Sequence, residues 1–372
     1  MAQGARLPLF RTFSKSDDET VSAFEVVRKV TNVVLSAIAE YDEKFSFFPV
    51  HKSSFLVVKG ATHFEIMITL KNLTARHVEL DEQNLPPGLT LVNLSQDTTI
   101  SKWKNFCGRA ANGKESLSAK RVCSSFSKLI TRLIEDIGSF RSRKGITEDI
   151  NITNISTEDA VKVNIKLRST SYVVELVPAI ECCGLWPVCA NEWRENTAHG
   201  WPKQETKKEI VKGGVHLVAK TTKNELHWRI WFCKAERSLL EFKKTQSKQK
   251  CLALIKKVII CDLECSILSS YHFQTVFLHE CVKFPADGQW TDEKIEERKV
   301  SILQSLENCL QAHNCPHFFL PSLNLFGLIT DAVLDSLAKK LRGFLQNSFN
   351  PLEKIVAEHK QNRNDSFEDT KF

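Results

Sequence analysis

Three side chains in the first half of this chain have the type and spacing for chemistry: His63, Glu65 and Glu175. The stretch from Phe55 to Leu70 reads as a strand, a tight connection at Gly60 and a second strand. Residues two apart on a strand share a face, so His63 and Glu65 point one way while Phe64, Ile66 and Ile68 point the other. Glu175 sits in a second alternating run, with Val173 and Val177 on its face. Carboxylates on a sheet face can hold a divalent cation. A half-buried strand with one wet face produces the same pattern, and a cross-strand ion pair would account for Glu175 equally well.

The elements that must position these residues can be read in order. Ser16 followed by Glu19 is a capping-box pattern. It opens a helix whose apolar residues, Ala23 through Ile38, recur at helical spacing to about residue 42. Ser118 is placed to cap a second long helix reaching about Ser139, with Val122, Phe126, Leu129, Leu133 and Ile137 on one face. Val161–Leu167 and Tyr172–Ile180 read as a hairpin joined by a longer loop, Arg168 to Ser171. Residues 181–214 are loop-rich, and Gly213-Gly214 closes them. Beyond that point helical periodicity dominates: Leu226–Phe242, Cys251–Asp262, Tyr271–Lys283, Lys294–Ala312 and Thr330–Leu345. The division is therefore a flexible terminus over 1–15, a sheet lobe over 16–214, a helical lobe over 215–347 and a mobile tail over 348–372. The fold class is α+β and bilobal, with a cleft between lobes as the default place for a ligand.

Composition narrows the class. With 372 residues, 42% hydrophobic and 26% charged, the chain has room for a large core. A net charge of +7 permits contact with phosphates without requiring it. The 12 Cys form no C-x-x-C pair, and most sit in apolar runs, as free thiols do in a reducing compartment. Neither a signal peptide nor a membrane-length apolar run is visible, so the expectation is a cytoplasmic or nuclear protein with no membrane partner.

More specific blocks lie toward the C-terminus. These are Ser270-Tyr271-His272-Phe273, then Trp290, then Cys315-Pro316-His317-Phe318-Phe319-Leu320-Pro321 with Asn324-Leu325-Phe326. Upstream come Tyr172 to Ala179, Gly184 to Pro187 and Glu225 to Phe232. Together they resemble the Mab-21-like family, from about residue 20 to about residue 347. Its developmental branch is the nearest match, and cyclic GMP–AMP synthase is a distant relative. The resemblance implies a nucleotidyltransferase fold: a mixed-sheet lobe with long helices, and an all-helical C-terminal lobe.

Active members of that fold hold two magnesium ions with three carboxylates, two from an acid-x-acid pair and one from a neighbouring strand. The matching positions here are His63, Glu65 and Glu175. An imidazole replaces the first acid; it brings no negative charge and suits magnesium poorly. The phosphate-cradling Gly-Ser of active members is also missing from Pro49 to Ser53. The reading leans away from an enzyme, with Glu65 and Glu175 as vestigial catalytic and magnesium-ligand positions.

The other wall of the cleft is better kept. By resemblance, Tyr271 would stack on a base, Ser270 and Lys256 would reach phosphates, and Arg229 and Trp231 would line the same cleft from a helix. Each also has an ordinary reading: Tyr271 packed, Lys256 solvated, Trp231 filling the pocket. The resemblance further implies a role in embryonic development or cell-fate specification through protein partners, with a nucleoside triphosphate as a candidate ligand. The alternative is an active cyclic-dinucleotide synthase-like receptor that uses Glu65, Glu175 and magnesium and is switched on by double-stranded RNA.

Other signals carry less. Basic residues along helix 118–144, from Lys120 to Lys144, read first as a solvated face and second as an RNA-tracking stripe. The zinc-bearing insertion of cyclic GMP–AMP synthase has no counterpart in Glu241–Lys250, which lacks Cys and His. Cys182, Cys183, Cys189 and His199 match no common zinc spacing.

Overall fold

The computed structural model describes residues 17–51, 54–59, 62–136, 150–157, 160–196, 200–220, 223–241, 246–259 and 267–347. The expected loose terminus, the tail from 348 and the basic residues Arg141, Arg143 and Lys144 lie outside them. The chain divides into two compact units: Met1–Thr197 with Lys203–Glu241, and Ala198–Pro202 with Phe242–Phe372.

The first unit is a sheet with helices. Its strands are β1 Phe55–Lys59, β2 His63–Thr74, β3 Val78–Asp81, β4 Leu89–Leu94, β5 Cys107–Arg109, β6 Glu115–Leu117, β7 Ile150–Asn154, β8 Lys162–Leu167, β9 Thr170–Cys182, β10 Val215–Val218 and β11 Trp228–Trp231. The spatial order is β1-β2-β9-β10-β11-β4-β6-β5, with β3 on β4 and β7-β8 on β9. β2 and β9 run parallel, and their neighbours pair antiparallel, so the sheet is mixed. Its helices are α1 Asp17–Tyr41, α2 Asp97–Trp103, α3 Ala119–Glu135, α4 Asn191–Glu195, α5 Gln204–Gly213 and α6 Cys233–Leu240.

Alternation drives the central strands. Along β2, Phe64, Ile66, Ile68 and Leu70 are buried, while Glu65 and Thr69 are half-buried. α3 packs on β7 and β9, and α1 packs on α3. The apolar stripe of α3 is Val122, Phe126, Ile130 and Leu133; Ile130 takes the deep position in place of Leu129, which is only half-buried. Phe126 stacks on Phe45 at 6.0 Å, and Phe45 meets Trp103 and Phe106 edge-on, forming an aromatic centre under the long helices. Each such ring buries 150 Å² or more, roughly.

Three expectations change. The segment Leu226–Phe242 is not one helix: Trp228–Trp231 is a strand, with Trp228 and Ile230 buried and Arg229 exposed, and α6 follows only from Cys233. Two-residue alternation overrode the helical spacing there. Because β10 and β11 extend the sheet, the first unit continues to Glu241, beyond the boundary expected at 214. The β8–β9 hairpin loop is two residues, not four, since Leu167 pairs with Thr170. Arg168 adopts φ 53° there, a left-handed position where Gly or Asn is usual.

The second unit is helical: α7 Gln246–Lys257, α8 Ser270–Lys283, α9 Ile295–Gln311 and α10 over 331–347. Its core gathers Phe273, Phe277, Trp290, Ile302, Leu306, Leu310, Phe319 and Phe326. Lys248 is buried within it, its ammonium 5.5 Å from the Trp290 ring and 3.2 Å from Asp287. Between α9 and α10 the segment 315–326 folds around Asn324. The Asn324 carboxamide oxygen accepts from the Cys315 and Phe326 amides, and its NH₂ donates to the His313 carbonyl.

Candidate functional site

The expected site residues fall in both units. Glu65, Glu175, His63, Arg229 and Trp231 belong to the first, and Ser270, Tyr271 and Lys256 to the second.

In the first unit, the register of β2 against β9 sets Glu65 directly beside Glu175. Two carboxylates on adjacent strands repel unless a cation intervenes. Here two lysines intervene. Lys220, just past β10, places its ammonium 2.7 Å from Glu65 Oε1 and 3.6 Å from Glu175 Oε1. Lys162 sits opposite Glu175 across the β8–β9 pair, its ammonium 3.6 Å from Glu175 Oε2. The row Lys162–Glu175–Lys220–Glu65 thus alternates two positive and two negative charges. The carboxylates are 15% and 21% exposed and the lysines about a third, so the attraction is only partly screened by water.

His63 does not join this row. It is exposed, and its Nδ1 lies 2.9 Å from the Thr62 hydroxyl. Both carboxylates are thus paired with ammonium groups, and the imidazole faces solvent. Among the described residues no group of three or more His, Cys, Asp or Glu is placed to hold a metal ion.

The face beside the acid pair is apolar. Met67 and Val177, each two residues beyond a glutamate, cluster with Ala179, Val218 and Cys233. Trp231 packs on that cluster, half-buried, with Lys220 Nζ 5.9 Å from its ring. It lies on β11 rather than on a helix, and so does Arg229, whose side chain is exposed.

In the second unit Tyr271 is half-buried and its hydroxyl lies 2.6 Å from His317 Nε2. His317 Nδ1 accepts from the Phe319 and Leu320 amides, at 3.0 and 3.1 Å. An imidazole nitrogen that accepts two N–H groups is unprotonated, so the proton of neutral His317 is on Nε2 and is donated to the Tyr271 oxygen. Burial holds His317 neutral, pulling its pKa to about 3, with His279 adding to the effect. Ser270 opens α8, and the amide of Ser269 before it donates to His272 Nδ1 at 3.0 Å. Lys256 is 5% exposed, and burial lowers its ammonium pKa to about 8. A lysine so placed is a buried positive charge at neutral pH rather than the solvated side chain that its helix position alone suggests.

The basic stripe on α3 is partly committed to structure. Arg121 reaches Glu225 at 3.3 Å and donates to the Cys107 carbonyl, and Arg132 lies over the Tyr41 ring at 4.8 Å. Away from the acid pair, a cavity of about 260 Å³ opens between α5 and α6, lined by Glu209, Gly213, Lys234, Arg237 and Ser238. Lys234 forms an ion pair with Glu181. Burial alone would raise the Glu181 carboxyl, but the Lys234 hydrogen bond and charge outweigh it and hold it below its usual range.

Lys220, Lys162 and His317 are the functional side chains that sequence reasoning missed. A two-residue hairpin loop would have placed Lys162 opposite Glu175, and the absence of Gly or Asn at Arg168 hid it. Nothing local points to Lys220, whose partners are 155 and 45 positions away in the chain.

Comparison with known sequences bears on this geometry. Residues 55–242 match the family described as "Mab-21 protein nucleotidyltransferase domain", and residues 247–343 match the "Mab-21 protein HhH/H2TH-like domain". The chain is also similar to "Protein mab-21-like" of Anopheles gambiae, with 30% identity over 299 residues, covering 76% of this chain and 75% of that protein. No described helix is long and apolar enough to cross a membrane.

Proposed function

This chain belongs to the Mab-21 family, and from that premise we propose that it is a catalytically silent nucleotidyltransferase-fold protein. Its role is in embryonic development or cell-fate specification and is exercised through protein partners. The developmental role rests on resemblance to that branch of the family. The silence rests on one observation: the Lys220 ammonium lies 2.7 Å from Glu65 and 3.6 Å from Glu175, where transferases of this fold need metal. A tethered cation satisfies the carboxylates without polarising a phosphoryl group, and it cannot exchange. Residues of the second unit support nucleotide binding without transfer. Tyr271 offers an aromatic face oriented by His317, and stacking on a base is worth about 1–3 kcal/mol. Ser270 and the buried Lys256 are the phosphate-facing candidates in the same unit.

The test is a transfer assay on the purified chain with ATP, GTP and magnesium or manganese, with and without long double-stranded RNA. The expected result is no cyclic dinucleotide. A product that vanishes in Glu65→Gln supports the active, RNA-switched synthase instead. Thermal shift with nucleoside triphosphates examines the second unit: stabilisation lost in Tyr271→Ala supports binding, and no shift at saturating ligand removes it.

A further inference from the structure

We propose that Cys183 and Lys234 are a paired modification site, joined by a sulfur–nitrogen bond once a hydroperoxide oxidises the thiol. The inference does not depend on the nucleotidyltransferase reading. The Lys234 ammonium donates to the Cys183 sulfur at 3.4 Å, across 51 positions of the chain. Both ends of that contact are held. Cys183 follows the last residue of β9 in a turn, where the Gly184 amide donates to the Lys212 carbonyl at 3.0 Å and the Leu185 amide to the Cys182 carbonyl at 3.1 Å. Lys234 is the second residue of α6. A cation in the first turn of a helix meets the positive end of the helix dipole, so local structure does not favour it there. Tertiary structure does: the Glu181 carboxylate on β9, two residues before the sulfur, forms an ion pair with the same ammonium.

A small oxidant can reach the pair. Cys183 is exposed and Lys234 half-buried. Lys234 also lines the cavity of about 260 Å³ between α5 and α6, which has room for a hydroperoxide. Other thiols of this unit have different neighbours. The sulfurs of Cys107, Cys123 and Cys182 face the backbone carbonyls of Trp103, Ala219 and Ile180, which offer no nitrogen to an oxidised sulfur.

The chemistry follows from that contact. The Cys183 thiolate attacks one oxygen of the hydroperoxide; the O–O bond breaks, Cys183 becomes a sulfenic acid, and the other oxygen leaves as hydroxide or alkoxide and is protonated by water. Sulfenic acids condense with a nearby nitrogen to give a sulfenamide. Here the nitrogen is that of Lys234. Its ammonium gives one proton to the departing sulfenic hydroxyl, the S–O bond breaks, and the amine lone pair forms the S–N bond as water is released. The second proton passes by way of the Glu181 carboxylate to solvent. The peroxide gains two electrons and the Cys183 sulfur loses two. The product ties the turn after β9 to the first turn of α6, whose Cys233 packs in the apolar cluster beside the acid pair.

The experiment uses the full chain, reduced and then treated with hydrogen peroxide under native conditions. After catalase quenching, free thiols are alkylated in denaturant and the digest is mapped by mass spectrometry. The expected product joins the peptide of Cys183 to that of Lys234, two hydrogens lighter than their sum, and is released by dithiothreitol. Lys234→Arg keeps a positive charge beside Glu181 but removes the primary amine. That variant should lose the joined species entirely, and dimedone should trap its Cys183 as the sulfenic acid. Cys183 found in the treated wild type as sulfinic acid or as a disulfide, with Lys234 unmodified, would overturn the proposal. So would a Cys183 that stays fully alkylatable, or the same joined species in Cys183→Ser.

Discussion

Lys220 Nζ and Glu65 Oε1 lie 2.7 Å apart, although 155 positions separate them in the chain. The bond links the end of β10 to β2, on opposite sides of β9, and Glu175 on β9 shares the same ammonium at 3.6 Å. Without Lys220, Glu65 and Glu175 would face each other as like charges on neighbouring strands. Lys220→Met should therefore lower unfolding free energy by about 1–2 kcal/mol, given a charged hydrogen bond partly open to water. Adding Glu65→Gln should restore part of that loss, because the carboxylate left unpaired beside Glu175 is gone. Urea denaturation of the four proteins in the cycle measures this. Strictly additive effects would mean that the two side chains do not interact.

A second prediction concerns the helix that backs the sheet. Ser118 is fully buried, accepts from the Arg121 amide at 3.1 Å and donates to the Glu225 carbonyl at 3.0 Å. It caps α3 and ties that helix to the turn leading into β11. Ser118→Ala should cost about 1 kcal/mol, since it removes the cap and leaves the Glu225 carbonyl with one partner fewer. A drop in thermal midpoint without loss of helix content by circular dichroism is the expected signature. A midpoint equal to wild type would contradict the assignment.

Acid should destabilise the fold earlier than carboxylate titration alone would. Unfolded, His216 and His317 titrate near 6.5; folded, burial lowers them to about 4 and about 3. Between those values the unfolded chain binds more protons, so their contribution is intact above about pH 7 and is lost as pH falls through 6.5. Each adds a slope of up to about 1.4 kcal/mol per pH unit in that window. His313 runs the other way, because its hydrogen bond to Asp335 raises it, but that pair is exposed and screened. The urea midpoint should fall between pH 7 and pH 5. His317→Asn, whose amide oxygen can replace Nδ1 as acceptor, should flatten the fall. An identical pH profile in that variant would contradict it.

Local pattern made part of this molecule legible. Alternation placed Glu65 and Glu175 on strands, each on the face opposite its fully buried neighbours, and helical spacing located α1, α3, α8 and α9. What pattern could not supply was closure of the sheet. Gly213-Gly214 reads as a linker, yet Gly214 turns the chain from α5 into β10 with φ 68°, and a Cβ there would sit 1.9 Å from the Cys182 carbonyl oxygen. Only glycine fits, because the backbone of β9 is the neighbour. Missing that turn hides β10, and with it Lys220. Tyr271 was visible as a residue type, but its orientation depends on His317, 46 positions on.

The most direct measurement is a manganese titration followed by electron paramagnetic resonance, in the presence of a non-hydrolysable nucleoside triphosphate. The account predicts that wild-type protein takes up no spin-coupled pair of ions. It predicts that Lys220→Met, with Glu65 freed and Glu175 left to Lys162 alone, binds manganese more tightly than wild type does. An exchange-coupled pair in the wild-type protein, abolished by Glu65→Gln or Glu175→Gln, would contradict it.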